Sequence, residues 1–301
     1  MVQAVQADTA AEYMIRIAVA SGKGGTGKTT VAVSLAVSAA RLGSAVLLDC
    51  DVEAPNDHLF FSVDFEEQQL VELQVPVVDL DACNGCGKCA EVCRYNAIAV
   101  LLEKPVVFPE LCHSCGSCTL VCPENAISEQ PRRIGKLDRG LIAPGFMLGQ
   151  GLLDIGQAQA VPIISQLKAW MAEKNSVQIL DSPPGASCPV VETIRDADYV
   201  VLVTEPTPFG LHDLRQAVEI CQELGVNHGV IINRDGIGDG SVEKYCQERD
   251  LPVLLRIPLD EEIGRGIALG NQLMDIKPEY KESFSNLFQN IVQDSRKEFS
   301  A

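Results

Sequence analysis

Eight residues near the start of the chain have the types and spacing of a phosphate-binding loop. The segment from Gly22 to Thr29 fits the pattern Gly-x4-Gly-Lys-Thr, follows an apolar strand and opens a helical stretch. Glycines let backbone N–H groups point at phosphate oxygens, and the helix N-terminus adds positive potential. We expect Lys28 to reach the β- and γ-phosphates and the Thr29 hydroxyl to ligate Mg²⁺. The segment predicts a nucleotide site, with a glycine-rich turn that binds nothing as the alternative.

Eight of the 12 cysteines lie between positions 83 and 122, in two copies of one pattern. Each copy reads Cys-x2-Cys-x2-Cys-x3-Cys, with an offset of 29 residues, and Asn-Ala-Ile follows both. This is the spacing of two-cluster bacterial ferredoxins, in which the fourth cysteine of each run ligates the other [4Fe–4S] cluster. The predicted ligand sets are Cys83, Cys86, Cys89 and Cys122 for one cluster, and Cys112, Cys115, Cys118 and Cys93 for the other. Zinc ligation and a structural relic are the alternatives. Arg94 stands where the ferredoxin pattern has Pro, whereas Pro123 follows Cys122.

Three aspartates follow or end apolar strands. Asp49 and Asp51 lie at the end of the second predicted strand, and Asp181 ends the strand 177–181. Strand ends in open parallel sheets face the ligand crevice. We therefore expect Asp181 to act on Mg²⁺ through water. Helix-capping or solvated carboxylates are the alternative for Asp49 and Asp51.

The elements that position these residues alternate between strands and helices. The predicted strands are 15–20, 45–49, 177–181, 199–204, 229–233 and 253–257, and the predicted helices are 27–41, 209–224, 241–249, 261–269 and about 278–298. This order favours an α/β fold with a mostly parallel sheet. The cysteine segment interrupts it. We predict a discontinuous nucleotide-binding domain of residues 1–77 and 131–301, with residues 78–130 as an inserted two-cluster ferredoxin domain.

A second lysine, Lys23, lies within the loop, and residues 23–30 read Lys-Gly-Gly-Thr-Gly-Lys-Thr-Thr. This run resembles the deviant Walker A motif of the MinD/ParA/Mrp ATPases and the nitrogenase iron protein. The resemblance implies that Lys23 crosses a dimer interface onto the partner's nucleotide, that Asp49 supports Mg²⁺ and Asp51 orients the attacking water, and that Asn233 hydrogen-bonds adenine. It implies Lys23, Lys28 and Asp51 as catalytic residues. The expected nucleotide-binding residues are Gly22, Lys23, Gly24, Gly25, Thr26, Gly27, Lys28, Thr29, Thr30 and Asn233.

The whole chain resembles MinD-superfamily P-loop ATPases that contain an inserted ferredoxin domain; Asp-Ser-Pro-Pro-Gly at 181–185 and the run 204–210 also match. The resemblance implies ATP hydrolysis, ATP or ADP, Mg²⁺, two [4Fe–4S] clusters and a homodimer, or a heterodimer with a close paralogue. It further implies a protein partner in electron transfer or metallocofactor assembly. A positioning ATPase with redox-sensing clusters and a passive electron carrier are the alternatives. The Cys-Pro-x-Cys pair of the Mrp-type carriers does not occur in this sequence.

Composition and charge indicate which classes of partner and which location to expect for the chain. The net charge is −17 and the pI about 4.6, which disfavours nucleic acid because the chain repels phosphate backbones. No apolar run approaches a membrane span, acids balance the bases after position 278, and residues 1–14 do not form a secretory signal. We therefore expect a cytoplasmic protein without stable membrane anchoring. The roles of Cys188 and of a basic patch stay open; the patch comprises Arg132, Arg133, Lys136 and Arg139.

Overall fold

A computed structural model of the chain describes residues 14–172 and 176–298. Of residues 1–14, which are not expected to form a secretory signal, only Met14 lies within the described part of the chain. The chain divides into two compact units. The larger unit contains the chain up to Gln68, Leu137–Leu152 and the chain from Val161; the smaller unit contains Gln69–Lys136 and Leu153–Ala160. The chain therefore passes between the units four times.

Nine strands form one sheet in the order β11-β10-β9-β1-β8-β2-β7-β6-β3, and β4 and β5 pair separately. The strands are β1 Ile15–Ala20, β2 Ala45–Asp49, β3 Phe65–Val78, β4 Ile98–Leu101, β5 Lys104–Val107, β6 Ile127–Ala143, β7 Phe146–Leu153, β8 Val177–Asp181, β9 Tyr199–Thr204, β10 His228–Asp235 and β11 Val253–Pro258. Strand β1 is parallel to both β8 and β9, and β2 is parallel to both β7 and β8. The predicted α/β class with a mostly parallel sheet is confirmed.

Ten helices accompany the strands in the described residues. They are α1 Lys28–Ala40, α2 Lys88–Val92, α3 Ser117–Val121, α4 Val161–Trp170, α5 Cys188–Ile194, α6 Pro208–Leu224, α7 Ser241–Glu248, α8 Glu261–Ala268, α9 Leu273–Ile276 and α10 Tyr280–Glu298. Local signals set the ends of α6: the Thr207 hydroxyl accepts from the Gly210 N–H at 3.0 Å, and Gly225 ends the helix at φ 67°. None of the helices in the described residues has the length and apolar composition needed to cross a bilayer.

Apolar strands and helices bury the core of the larger unit. One hydrophobic cluster contains four fully buried residues from different elements: Ile17 on β1, Leu47 on β2, Leu35 on α1 and Phe284 on α10. This packing holds β1 and α1 firmly on either side of the loop 21–27. The phosphate-binding segment is therefore a short connection between two elements of the same hydrophobic cluster.

The strands β3, β6 and β7 are absent from the sequence prediction. β3 and β6 carry many exposed polar residues, so they lack the apolar character that marks the other strands. β7 contains Gly149 and Gly151, where an added Cβ would press on Met171 and on Val52 and Ile163 respectively. All three strands extend from one unit into the other. The smaller unit is accordingly longer than the segment 78–130, since it also includes parts of these strands and Leu153–Ala160.

The two cysteine runs of the smaller unit have the same local geometry. Gly87 and Gly116, 29 residues apart, both precede short helices with φ 78° and 70°. Asn96 and Asn125, also 29 residues apart, have φ 53° and 51°. The sequence repeat is therefore also a repeat of backbone conformation.

Candidate functional site

The loop between β1 and α1 is shaped to receive an anion. Gly27 precedes α1 at φ 95°, a left-handed conformation that favours glycine. The Asn233 side chain donates to the Thr26 carbonyl at 2.7 Å, and a Cβ on Gly27 would overlap its amide nitrogen. The structure thus places Asn233 against the backbone of the loop. The N–H groups at the start of α1 are left for a ligand.

Thr29 and Asp181 come together at the C-terminal edge of the sheet. The Thr29 hydroxyl donates a 2.6 Å hydrogen bond to Oδ2 of Asp181, and Oδ1 of Asp181 has no hydrogen-bond partner in the described part of the chain. Burial raises the pKa of Asp181 to about 6, while the Lys28 ammonium and the Thr29 hydroxyl oppose that rise. A hydroxyl beside an incompletely bonded carboxylate is an oxygen-rich pair of the kind that Mg²⁺ takes together with phosphates and water.

Asp49 organises the loop that follows β2. Its carboxylate accepts from the backbone N–H groups of Asp51 at 3.1 Å, Asn56 at 2.6 Å and Asp57 at 3.0 Å. Burial and the neighbouring Asp181 carboxylate raise the pKa of Asp49 to about 7. In this structure Asp49 holds the loop in place, and Asp51 lines the cleft described below.

Asp57 is a site residue that sequence reasoning did not identify. It is fully buried, no N–H or hydroxyl group of the described residues donates to its carboxylate oxygens, and its side chain is within hydrogen-bond reach of the Asp181 carboxylate. Burial, followed by the charges of Asp49 and Asp181, raises its pKa well above the usual range. The sequence does not indicate that Asp57 is buried, because this residue begins a single helical turn, where an aspartate is ordinarily a solvated or capping residue.

A cleft of about 920 Å³ opens beside these residues. Its volume lies at the upper end of the range for small-molecule and cofactor sites. One side consists of the phosphate-binding loop with Asp51 and Asp181, and the other is largely apolar. The residues on the second side include Leu59, Phe60, Ile257, Pro258, Leu259, Ile263, Ile267 and Leu269. The polar side suits a polyphosphate and the apolar side suits a base.

Lys23 lies at the rim of the loop and contacts its own chain. Its Nζ is 3.2 Å from Oε2 of Glu205, a buried carboxylate directly after β9. Arg234, which follows Asn233, contacts the other oxygen of Glu205 at 2.5 Å. Glu205 and Arg234 were not singled out from the sequence, because nothing local indicates that they share one contact.

Each of two cavities in the smaller unit is lined by four cysteines. One is lined by Cys83, Cys86, Cys89 and Cys122, and the other by Cys93, Cys112, Cys115 and Cys118. Every set thus combines three cysteines of one run with the fourth of the other. No group of three or more His, Cys, Asp or Glu side chains in residues 14–172 and 176–298 is arranged to hold a single metal ion. A zinc tetrad brings four sulfurs to one ion at about 2.3 Å, and the described residues contain no such group.

Backbone amides point at sulfur in both cysteine runs. The N–H of Ala97 donates to Sγ of Cys93 at 3.2 Å, and the N–H of Ala126 donates to Sγ of Cys122 at 3.3 Å. Such bonds favour the thiolate form that ligates iron, and they influence the reduction potential of an iron–sulfur cluster. The donor set therefore fits [4Fe–4S] clusters.

The basic patch is largely neutralised. Arg132 contacts Glu110 at 3.2 Å, and Arg133 contacts Asp154 at 2.9 Å. Arg139 lies 2.6 Å from a carboxylate oxygen of Glu67. Cys188, the other residue with an open role, is exposed at the first position of α5.

Comparison with known proteins gives a family match over most of the chain. The model of the CobQ/CobB/MinD/ParA nucleotide-binding domain matches residues 17–273. An uncharacterized protein of Methanocaldococcus jannaschii is 31% identical over 93% of this chain and 97% of its own length. An iron–sulfur cluster carrier protein of Pyrococcus horikoshii is 24% identical over 95% of this chain and 91% of its own length.

Solved structures share the fold. The septum site-determining protein MinD of Pyrococcus horikoshii, complexed with Mg-ADP, superposes with a TM-score of 0.55 at 20% identity, covering 93% of this chain and 96% of that chain. The cell division ATPase MinD of Pyrococcus furiosus gives a TM-score of 0.55 at 21% identity, covering 93% of this chain and 98% of that chain. At these identities the likeness is one of fold.

Proposed function

The chain belongs to the CobQ/CobB/MinD/ParA nucleotide-binding family, and from that premise we propose that it hydrolyses ATP and couples its nucleotide state to electron transfer through two [4Fe–4S] clusters. The receiver of the electrons is a protein partner, or a metallocofactor being matured on one. The observation that carries the proposal is the presence, in one chain, of a phosphate-binding loop and of two cavities lined by four cysteines each.

The nucleotide part rests on the residues around the cleft. Lys28 and the N-terminus of α1 bind phosphates, and Thr29 with Asp181 holds Mg²⁺, which neutralises phosphate charge when bound. Asp51 lines the same cleft and positions the attacking water. Lys23 reaches the nucleotide of a second copy of the chain, so the ATP-bound form is a homodimer, or a heterodimer with a close paralogue.

The iron–sulfur part rests on the crossed cysteine sets. A [4Fe–4S] cluster supplies one-electron chemistry, and the thiols with their N–H donors hold it and adjust its potential. The similarity to an iron–sulfur cluster carrier protein supports this part of the proposal.

Coupling is supported by the course of the chain. The chain enters the smaller unit after the loop held by Asp49 and leaves it before β8, which ends at Asp181. Both segments adjoin the proposed γ-phosphate position. A change of nucleotide state that shifts either segment is therefore transmitted along the chain towards the cysteine runs.

The test is a pair of measurements on anaerobically prepared protein. We expect the cluster midpoint potentials to differ between ADP and a non-hydrolysable ATP analogue, and we expect nucleotide affinity to change on reduction by the same free energy. For a one-electron step, a tenfold change in affinity corresponds to about 59 mV. Equal potentials in both nucleotide states, together with ATP-independent reduction of the partner, would leave a passive electron carrier as the better description.

A further inference from the structure

We infer that Glu205 restrains Lys23 in the free chain and that this contact opposes ATP-dependent dimerisation; the inference rests on the proposed role of Lys23 at a second copy's nucleotide. The two side chains meet at 3.2 Å between Nζ and Oε2. The Glu205 side chain is 8% exposed and the Lys23 side chain 35% exposed. A lysine that is bound to its own chain must leave that carboxylate before it can reach a phosphate on another.

The carboxylate is the fixed member of the pair. The Glu205 carbonyl accepts from the N–H of Thr207 at 2.8 Å, and Gly210 lies so close to that carbonyl that a Cβ there would overlap it. The backbone of Lys23 is also fixed, since the Ser21 hydroxyl donates to its carbonyl at 2.6 Å. Only the flexible four-carbon stem of Lys23 is left to move, and a lysine side chain has the length and freedom to do so.

A second cation makes the release of Lys23 feasible. Arg234 contacts the other oxygen of Glu205 at 2.5 Å and donates to the Gly25 carbonyl at 3.2 Å. Arg234 has φ 55°, and its own N–H bonds to the Asn233 side chain at 2.9 Å, so its backbone is held in an unusual conformation. When Lys23 departs, Glu205 keeps one cation and is not left as an unpaired buried charge, which would be costly. Glu205 is thus a positioning residue with two cations, of which Arg234 has a second contact at the Gly25 carbonyl.

The experiment compares wild-type protein with Glu205→Gln in Mg²⁺ and a non-hydrolysable ATP analogue, by sedimentation over a range of protein concentrations. Because a dimer breaks two such contacts, we expect the dimer dissociation constant of the variant to be lower by about tenfold, equivalent to about 1.4 kcal/mol. Affinity for the analogue at concentrations where the chain is monomeric should stay within a factor of about two, since Glu205 does not line the cleft.

Two controls separate this effect from a general loss of charge or of structure. Glu248→Gln removes the carboxylate of an exposed pair with Lys244, 3.8 Å apart, and should leave the dimer constant unchanged. In a Lys23→Ala background, for which the proposed function predicts no dimer, Glu205→Gln should not restore one, because it acts only by releasing Lys23. Should Glu205→Gln fold poorly, Glu205→Asp keeps the charge but shortens the side chain, and it should strengthen the dimer to a smaller extent.

The possible results distinguish the inference from the function beneath it. A wild-type dimer that requires Lys23 but is unchanged or weakened by Glu205→Gln overturns the inference and leaves the proposed function intact. A wild-type chain that stays monomeric with the analogue overturns the inference and excludes the homodimer, which leaves the heterodimer with a close paralogue as the ATP-bound form in the proposed function.

Discussion

The hydroxyl of Thr29 and the carboxylate of Asp181 are joined by a 2.6 Å hydrogen bond across 152 positions of sequence. The bond links the first turn of α1 to the end of β8. Because burial makes the Asp181 carboxylate costly to ionise, the hydroxyl donor and the nearby Lys28 are what keep it available as an anion. The proposed magnesium site thus depends on a direct contact between two residues that are far apart in the sequence.

A methyl in place of the Thr29 hydroxyl should disable this pair. Mg²⁺ is expected to raise the ATP affinity of the wild-type chain. In Thr29→Val we expect this increase to be smaller by at least about tenfold, or about 1.4 kcal/mol, since both the hydroxyl ligand and the bond to Asp181 disappear. Titration calorimetry with and without Mg²⁺ measures that gain. Thr29→Ser keeps the hydroxyl and is the matched control. Equal magnesium dependence in the valine variant would remove Thr29 from the site.

Alanine at Gly27 should damage the phosphate-binding loop. The position has φ 95°, and a Cβ would overlap the Asn233 amide, so the substitution strains the backbone by roughly 1–2 kcal/mol and displaces Asn233. We expect nucleotide affinity to fall to about a tenth of the original value or less. Gly43→Ala is the control, because a Cβ there meets nothing within 4 Å. Similar affinities in the two variants would contradict the assigned role of the loop.

The buried aspartates should make the metal-free chain less stable as pH rises. The pKa values of Asp49 and Asp181 are raised from 3.8 to about 7 and about 6. Between the ordinary pKa of 3.8 and these raised values, the folded chain retains protons that the unfolded chain has lost. The free energy of unfolding therefore falls with increasing pH in that range. In EDTA we expect the midpoint temperature of thermal unfolding to fall as the pH is raised from about 4 to about 7. The fall should be shallower for Asp49→Asn. An identical slope in that variant would show that Asp49 does not titrate in this range.

Loss of Cys122 should empty the cavity formed mainly by the first cysteine run. Anaerobically prepared wild-type protein should contain about eight irons per chain, and Cys122→Ala about four. Mössbauer and EPR spectra should show that the remaining cluster is unperturbed. Cys188→Ala, outside the smaller unit, should retain all the iron. Zinc in place of iron, or damage confined to the cluster of Cys112, Cys115 and Cys118, would overturn the crossed ligand sets.

The central strands could be predicted to the residue because they are short apolar runs buried on both faces. β1, β2, β8 and β9 have the bounds expected from the sequence. β7 could not be predicted, because its glycines are unfavourable in strands unless neighbours such as Met171 occupy the space beside them. The site residues, too, could be predicted only where the local sequence identifies them. Lys28, Thr29 and Asp181 belong to motifs, whereas Asp57 and Glu205 acquire their surroundings only when distant segments meet.

The order of strands in the sheet has a consequence for biosynthesis. Strand β1 is made first, yet both of its neighbours, β8 and β9, lie beyond residue 176. The cysteine runs are complete by residue 122 and are therefore synthesised before either neighbour. Domains generally fold as units and in the order of synthesis. In a chain that folds as it is synthesised, the nucleotide site, which needs Asp181 at the end of β8, is therefore completed only after both cysteine runs have been made.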